Sequence, residues 1–269
     1  MASRQIRIMG ILNVTPDSFS DGGKFATHAA ALAQADRLIS EGADILDVGG
    51  ESTRPFAAPV SAEEELRRVI PVIKAVRQKY PVPISIDTTK AIVADEALKA
   101  GADIINDISA LKKDPAMLQV VRSTTAPVII MHMQGTPADM QVKPIYANVV
   151  EEILAFFVER LAWLTASGVD RSRLIIDPGI GFGKTLDHNL SILKHLDELA
   201  TLGVPVLLGH SRKRSLGEIT EIPVEAARDL ATAVTSALCA AKNIAIIRVH
   251  NVAATRQAVL VAQAIAAAS

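Results

Sequence analysis

Cysteine, net charge and long apolar runs are all scarce in this chain of 269 residues. It has one cysteine and a formal net charge of -1, and no apolar run nears a membrane span. Such a span needs about 20 consecutive apolar residues, so no transmembrane helix is expected. A single thiol, Cys239, cannot form an intramolecular disulfide, and its setting in the apolar helical pattern "TSALCAAK" marks it as a packed core residue. A charge near zero gives no general attraction to nucleic acid or to an anionic membrane, so any anion site must be local. The N-terminal "MASRQIRIMG" sets its charges too close to a short apolar run for a signal peptide. No Cys/His cluster has zinc spacing, and no Ser-His-Asp order suggests acyl transfer. What remains is a cytoplasmic enzyme or binding protein for small molecules, with neither nucleic acid nor membrane as partner.

Short apolar runs alternate with longer helical patterns throughout. The runs predict strands at Ile6–Asn13, Ile45–Val48, Ile84–Asp87, Ile104–Asn106, Val128–His132, Leu174–Asp177, Val206–Gly209 and Ala245–His250. Between Asn148 and Ser167, the residues Val150, Leu154, Phe157, Leu161 and Leu164 form one helical stripe that Gly168 ends. Ser61 and Glu64 read as a capping box for a helix running to Lys79. "EGADILDV" and "AGADIINDI" form a faint repeat of helix end, Gly and strand. Eight such units, with strands apolar on both faces, predict an α/β fold, a single (β/α)₈ TIM barrel over residues 1–269. An open doubly wound sheet is the alternative, which the count of eight disfavours. Asn13, Asp87, Asn106, Asp177, Arg248 and His250 all fall at strand C-termini, the rim that carries the active site in such barrels.

"IIDPGIGFGKT" invites a nucleotide-loop reading but has Pro178 where that loop needs glycine. It reads better as a tight turn that aims Asp177 at the mouth with Phe182 over it. A carboxylate there can accept two parallel bonds from a planar N–H edge while the ring packs on the heterocycle. Lys184 is expected to be solvated. "IRVHNV" places Arg248 and His250 on one strand face, where two converging donors suit a phosphate or carboxylate. "HSRKR", His210–Arg214, is a second anion-site candidate, with Lys213 in the pocket and Arg212 and Arg214 partly in solvent. "GGESTRP" is a polar loop in which Pro55 extends Arg54. In "MHMQGTP", Met131 is expected to line the barrel, and His132 is as consistent with a structural as with a functional role. The stretch "MGILNVTPDSFSDGG" runs from a strand into a polar loop with one aromatic, Phe19. A loop that long is unusual in a compact domain unless it is functional or disordered.

"GILNVTPDSFSDGG", "DVGGESTRP", "SIDT", "INDI", "DPGIGFGK", "SRKR" and "RVHN" stand in this order from Met9 to Asn251, and together they resemble the dihydropteroate synthase family. The resemblance implies a barrel with long mobile loops after strands 1 and 2. It also implies condensation of 6-hydroxymethyl-7,8-dihydropterin diphosphate with 4-aminobenzoate in folate biosynthesis, with Mg²⁺ and a homodimeric state. By the same resemblance Asp87, Asn106, Ile108, Met131, Asp177, Phe182 and Lys213 would hold the pterin. Asn13, Thr53, Arg54, Arg248 and His250 would hold the diphosphate, Asn13 also being the metal ligand. Phe19, Thr53, Pro55, Phe182, Ser211 and Lys213 would border the aminobenzoate, and Asp87, Lys213, Arg248 and His250 would carry catalysis. The reaction expected is dissociative, with the loops after strands 1 and 2 closing as a lid. A corrinoid-dependent methyltransferase and a non-catalytic pterin-binding paralogue are the alternatives. The first has no use for an Arg/His diphosphate clamp, and the second would have lost Lys213, Arg54 or Arg248. The chain departs from the family pattern in Arg214, in Asn251, and in lacking Gly-Ala-Asp before the last strand.

Overall fold

Strands that are apolar on both faces are stable only when helices cover one face and other strands the second. The computed structural model, which describes residues 6–15, 24–52, 58–136 and 140–268, has this arrangement. Its strands are β1 (Arg7–Asn13), β2 (Ile45–Gly49), β3 (Ile84–Asp87), β4 (Ile104–Asp107), β5 (Val128–Met131), β6 (Leu174–Asp177), β7 (Leu207–Leu208) and β8 (Ile246–Val249). Each lies within one residue of its expected bounds at either end. All pair in parallel in the order β6-β5-β4-β3-β2-β1-β8-β7. A bridge between Ile176 and Val206 joins the two ends of that order and closes the barrel. Around it run α1 (Lys24–Ser40), α2 (Ala62–Lys79), α3 (Ala91–Ala100), α4 (Met117–Arg122), α5 (Val149–Ala166), α6 (Leu186–Lys194), α7 (Leu196–Ala200), α8 (Arg214–Thr220), α9 (Asp229–Cys239) and α10 (Val252–Ala267). Among the described residues no helix is long and apolar enough to cross a membrane.

Side-chain alternation divides the core in two. Ile8, Leu46, Ile86, Ile130 and Ile176 face outward and share one cluster with the helices. Met9, Ile45, Ile104, Ile129, Ile175, Leu207 and Ile246 face inward and plug the barrel. Each fully buried aliphatic side chain contributes about 1.5–3 kcal/mol over its exposed state, so this plug is a firm floor. Two residues further along each strand, the same inward alternation places Asp47, Asn106, Met131, Asp177 and Arg248. The register sets Asn13 opposite Gly49, Gly49 opposite Asp87 and Asp87 opposite Asn106, which brings these positions to one end of the barrel.

The faint repeat has a physical basis. Gly42 and Gly101 both have positive φ (96° and 114°) and close the helices before β2 and β4. Two residues on, Asp44 accepts from the Ile8 N–H and Asp103 from the Ile84 N–H, each at 2.8 Å. Arg256 and Arg77 donate to the two glycine carbonyls at 3.1 and 3.0 Å. Before β8 the corresponding residues are Asn243 and Ala245. Asn243 takes the left-handed turn at φ 55°, which asparagine tolerates. Ala245 has no carboxylate to offer and is held by its backbone N–H on Val206 O at 2.9 Å.

The long helix expected from Asn148 begins with that side chain capping the Val150 and Glu151 N–H groups, and Gly168 follows at φ 88°. Ile153 replaces Leu154 on its fully buried stripe, Leu154 being only partly covered. Only half of the expected capping box forms at α2. Ser61 Oγ accepts from the Glu64 N–H at 3.2 Å, but the Glu64 carboxylate turns to Arg67 and Arg68. Cys239 is buried, and burial pushes its thiol up to about 11.

Candidate active site

The centre of the barrel mouth is a charge network that the sequence reading only half contained. Arg248, inward-facing on β8, donates through Nε to Asp47 Oδ2 at 2.6 Å and through Nη2 to Asp87 Oδ2 at 2.8 Å. Asn106 Nδ2 lies 3.4 and 3.3 Å from the two Asp47 oxygens. Asp47 was missed, although a charged residue inside the apolar run "ILDVG" is a legible signal. Burial opposes the guanidinium charge, but Asp47 and Asp87 outweigh it and hold Arg248 protonated more firmly than usual. Burial pushes the Asp87 carboxyl up; Arg248 opposes that rise and Asp47 adds to it. Arg248 is therefore anchored by two carboxylates. Neither of those bonds uses Nη1, which leaves that edge of the guanidinium for a ligand.

The second half of the mouth is built by the turn after β6. Asp177 Oδ1 accepts from the Gly179 N–H at 2.7 Å, which fixes the carboxylate and leaves Oδ2 uninvolved in that bond. Gly179 has φ 70°, and a Cβ there would lie 2.0 Å from His132 O, so no other residue fits. Burial raises the Asp177 carboxyl, against the pull of the Gly179 N–H and of Lys213. Lys213 reaches in from beyond β7, its Nζ 4.0 Å from the Phe182 ring centroid. Burial brings that amine down to about 8, Arg248 adding to the fall and Asp177 opposing it.

Three of the residues expected to line the pterin site, Ile108, Met131 and Phe182, meet in one apolar cluster that also includes Met140. Ile108 gets there because the Asp107 carboxylate ties back the N–H groups of Ser109 and Leu111 at 2.7 and 3.1 Å, turning the chain inward after β4. Met140 sits in the long segment after β5, where nothing in the sequence marks it.

Lys184 is not solvated, contrary to expectation. It is 3% exposed, and its Nζ bonds Phe182 O at 2.9 Å, His132 O at 3.3 Å and His132 Nδ1 at 3.1 Å. The Gly-rich turn folds its carbonyls inward, and the lysine follows them. Burial lowers Lys184 to about 7; Asp177 opposes this and Lys213 adds to it. His132 is structural in this setting: it is buried, packs edge-on to Phe156 and is lowered to about 3, first by burial and then by Lys184.

Of the run His210–Arg214, the residues that meet mouth groups are Ser211 and Lys213. His210 is fully buried, its Nε2 on Thr232 O at 3.0 Å. Arg212 makes a two-pronged bond to Asp229 at 2.6 and 2.9 Å, and Arg214 pairs with Glu218 in solvent. Asn251 caps α10 by accepting from Ala254 N and donates to Asp229. Ser211 braces His250: its Oγ is 2.9 Å from His250 Nδ1 and accepts from the His250 N–H at 3.1 Å. Burial, helped by Arg212 and Arg248, lowers His250 to about 3, so the ring is neutral at pH 7. A serine proton given to Nδ1 selects the tautomer whose ring proton is on Nε2, where it can donate.

Asn13 ends β1 beside this group. A Cβ on Gly49 would lie 3.7 Å from both Asn13 Oδ1 and Asp87 Oδ2, which places the amide oxygen across that glycine from the carboxylate. Among the described residues no group of three or more His, Cys, Asp and Glu is arranged to hold a metal. Phe19, Thr53, Arg54 and Pro55, and with them the expected lid, lie outside the described residues. The mouth thus combines buried acceptors for N–H groups, an apolar wall suited to a flat ring, and two donors from one strand end for an anion.

A family model described as "pterin binding enzyme" matches residues 9–250. The chain is 47% identical over 260 residues to the dihydropteroate synthase of Haemophilus influenzae, an alignment covering 97% of this chain and 94% of that one. It is similar, at TM-score 0.93 and 48% identity, to the dihydropteroate synthase of Xanthomonas albilineans solved with 4-aminobenzoic acid, over 98% of this chain and 94% of that chain. The same enzyme in complex with 7,8-dihydropteroate matches at TM-score 0.90 and 45% identity, over 100% and 97%.

Proposed function

The chain belongs to the dihydropteroate synthase family of pterin-binding enzymes, and on that premise we propose that it condenses 6-hydroxymethyl-7,8-dihydropterin diphosphate with 4-aminobenzoate. The products are 7,8-dihydropteroate and diphosphate. One observation carries this reading: buried Asp177 and Asn106 stand beside the wall of Ile108, Met131, Met140 and Phe182, with Arg248 and His250 from the end of β8 in the same mouth. A methyl-transferring pterin enzyme has no need of the last two.

In this reading Asp177 and Asn106 take the N–H edge of the pterin, while Phe182 and Met131 pack on its faces. Lys213, over the Phe182 ring, donates to a ring acceptor and borders the aminobenzoate with Ser211. The Arg248 guanidinium and the His250 Nε2–H meet the diphosphate and stabilise the charge that grows on it as the bond breaks, which is where preorganised donors act most strongly. The methylene C–O bond breaks and its electron pair leaves with the diphosphate. The cationic carbon faces the carboxylates of Asp87 and Asp177. The aminobenzoate nitrogen, neutral at pH 7, then forms the C–N bond and gives up one proton to the released diphosphate. Phe19, Thr53, Arg54 and Pro55 would exclude water from the cation, since water would otherwise compete with the amine.

Mg²⁺ suits the donor set. It takes oxygen ligands and commonly keeps one or two from protein beside substrate phosphates and waters, and Asn13 Oδ1 is such an oxygen. Bound there, it would neutralise charge on the diphosphate.

A cytoplasmic homodimer is the form we propose. Leu230, Val234 and Leu238 make one exposed row on α9, beside exposed Val261 and Ile265 of α10, and apolar area of this kind marks an interface. The test of the activity is diphosphate release from the pterin diphosphate, with and without 4-aminobenzoate and Mg²⁺. Release matched by dihydropteroate formation, and dependent on both additions, is expected. No release under any of these conditions would overturn the reading.

A further inference from the structure

Lys184 is an amine with almost no exposure, it touches no carboxylate, and the mechanism above makes no use of it. A lone buried ammonium is costly unless every proton has an acceptor. Its three protons have three: Phe182 O, His132 O and His132 Nδ1, at 2.9, 3.3 and 3.1 Å. His132 Nδ1 must then present its lone pair, which agrees with an imidazole kept neutral by burial.

The placement of those acceptors matters more than their number. His132 directly follows Met131, and Phe182 belongs to the same apolar cluster. One amine therefore ties the main chain beside two members of that cluster. The surrounding turn has no slack that could replace this tie. Gly181 O is held by Gln141 at 2.7 Å, Gly183 O by the Tyr146 hydroxyl at 2.9 Å and the Gly181 N–H by Asn189 at 2.8 Å. Phe182 O, in the middle, has Lys184 as its bond. The Phe182 ring in turn supports Lys213.

We propose that Lys184 is a positioning residue of the pterin site, its amine binding the His132 and Phe182 carbonyls so that Met131 and Phe182 keep the relative position against which the pterin ring packs. The inference rests on the pterin reading of the mouth. It assigns Lys184 no contact with substrate. Its effect reaches the ligand through Phe182 and, less directly, through Lys213.

The test is a double-mutant cycle on pterin affinity, measured calorimetrically on the full chain well below each variant's unfolding temperature. Lys184→Met keeps the aliphatic stem and removes the three bonds. It should weaken 6-hydroxymethylpterin binding about tenfold, within the range of coupling between residues in one network. In a Phe182→Leu background the same change should cost less than about twofold, because the ring it positions is gone. A purely structural lysine would instead give equal losses in both backgrounds, and that result would overturn the proposal. So would unchanged pterin affinity in Lys184→Met while the parent binds pterin. A parent that binds no pterin would mean that the reading of the site, not the role of Lys184, had failed. If Lys184→Met does not fold, Lys184→Gln, whose amide still offers two donors, enters the same cycle with the same criterion of non-additivity.

Discussion

Arg248 is held by two buried carboxylates, so replacing it with alanine tests more than diphosphate binding. Asp47 has no exposure, and in Arg248→Ala it loses its 2.6 Å partner while Asp87 loses one at 2.8 Å. Removing one side of a buried ion pair costs about 3–5 kcal/mol, mostly because the other side is left charged and unpaired. At about 2–4 °C per kcal/mol for chains of this size, the unfolding midpoint near pH 7.5 should fall by roughly 6–20 °C. The deficit should depend on pH with a definite sign. Asp87 has its carboxyl raised by burial in the folded state, and removing Arg248 raises it further. Between the unfolded value and that raised value the folded chain binds more protons than the unfolded one, so stability falls as pH rises through the window. Asp87 is already raised to about 7 in the parent, so parent and variant share this slope below about 7 and the deficit should be nearly constant there. It should grow as pH rises above about 7, where the parent ionises Asp87 beside Arg248 and the variant does not. Differential scanning calorimetry of parent and variant at several pH values reads this directly. Binding supplies the second arm. The pterin alcohol should lose affinity through the disturbed Asp87, and the pterin diphosphate should lose more. A midpoint lowered by less than about 2 °C, or a deficit that shrinks as pH rises from about 7 to about 9, would refute the network account. Equal losses for the two ligands would refute the clamp.

Asp177→Asn keeps the Gly179 bond at Oδ1 and turns an amide N–H toward the ligand's own N–H, which should cost about 2–4 kcal/mol of pterin affinity with little change in the unfolding midpoint. Calorimetric binding as tight as the parent's would remove Asp177 from the pterin edge. Leu230→Glu combined with Leu238→Glu, two positions exposed at 76% and 72%, should convert a dimer to monomers in sedimentation equilibrium. A monomeric parent at tens of micromolar would refute that interface.

The barrel was legible because its signals are local. Each strand announces itself as an apolar run, and a (β/α)₈ ring is the arrangement that buries both faces of eight such runs. The polar residues at strand ends were legible for the same reason. Period-two alternation carries the interior of the floor at Ile45, Ile104, Ile175 and Ile246 up to Asp47, Asn106, Asp177 and Arg248, two residues on. Asp47 could have been found by extending that arithmetic to β2. It lies inside its strand, two residues short of the end, where strand-end polarity does not mark it. What the sequence could not convey was pairing. Arg248 and His250 looked like two free donors, and only the closed barrel brings Asp47 and Asp87 against the first and Ser211 against the second.

Lys184 and Lys213 show where local reading fails in principle. Both are lysines in polar loops after a strand, with arginine or glycine neighbours, and nothing within either segment distinguishes buried from solvated. The direction each side chain takes is decided by where backbone carbonyls point. In the turn after β6, Gly179 and Gly183 allow the chain to press against His132 and Gln134, with a Cβ at either glycine falling within 2.4 Å of a carbonyl oxygen. His132 O and Phe182 O face inward there, and the Lys184 amine is the group that bonds both. In the loop after β7, Arg212 turns through φ 57° and is drawn outward by Asp229, which sends the next side chain into the mouth. Thus the glycines of "DPGIGFGK" and the arginine of "SRKR" determine the fate of the lysine beside them. Exchanging Arg212 for a residue without an Asp229 bond should loosen Lys213 and also relieve the lowering that Arg212 exerts on His250.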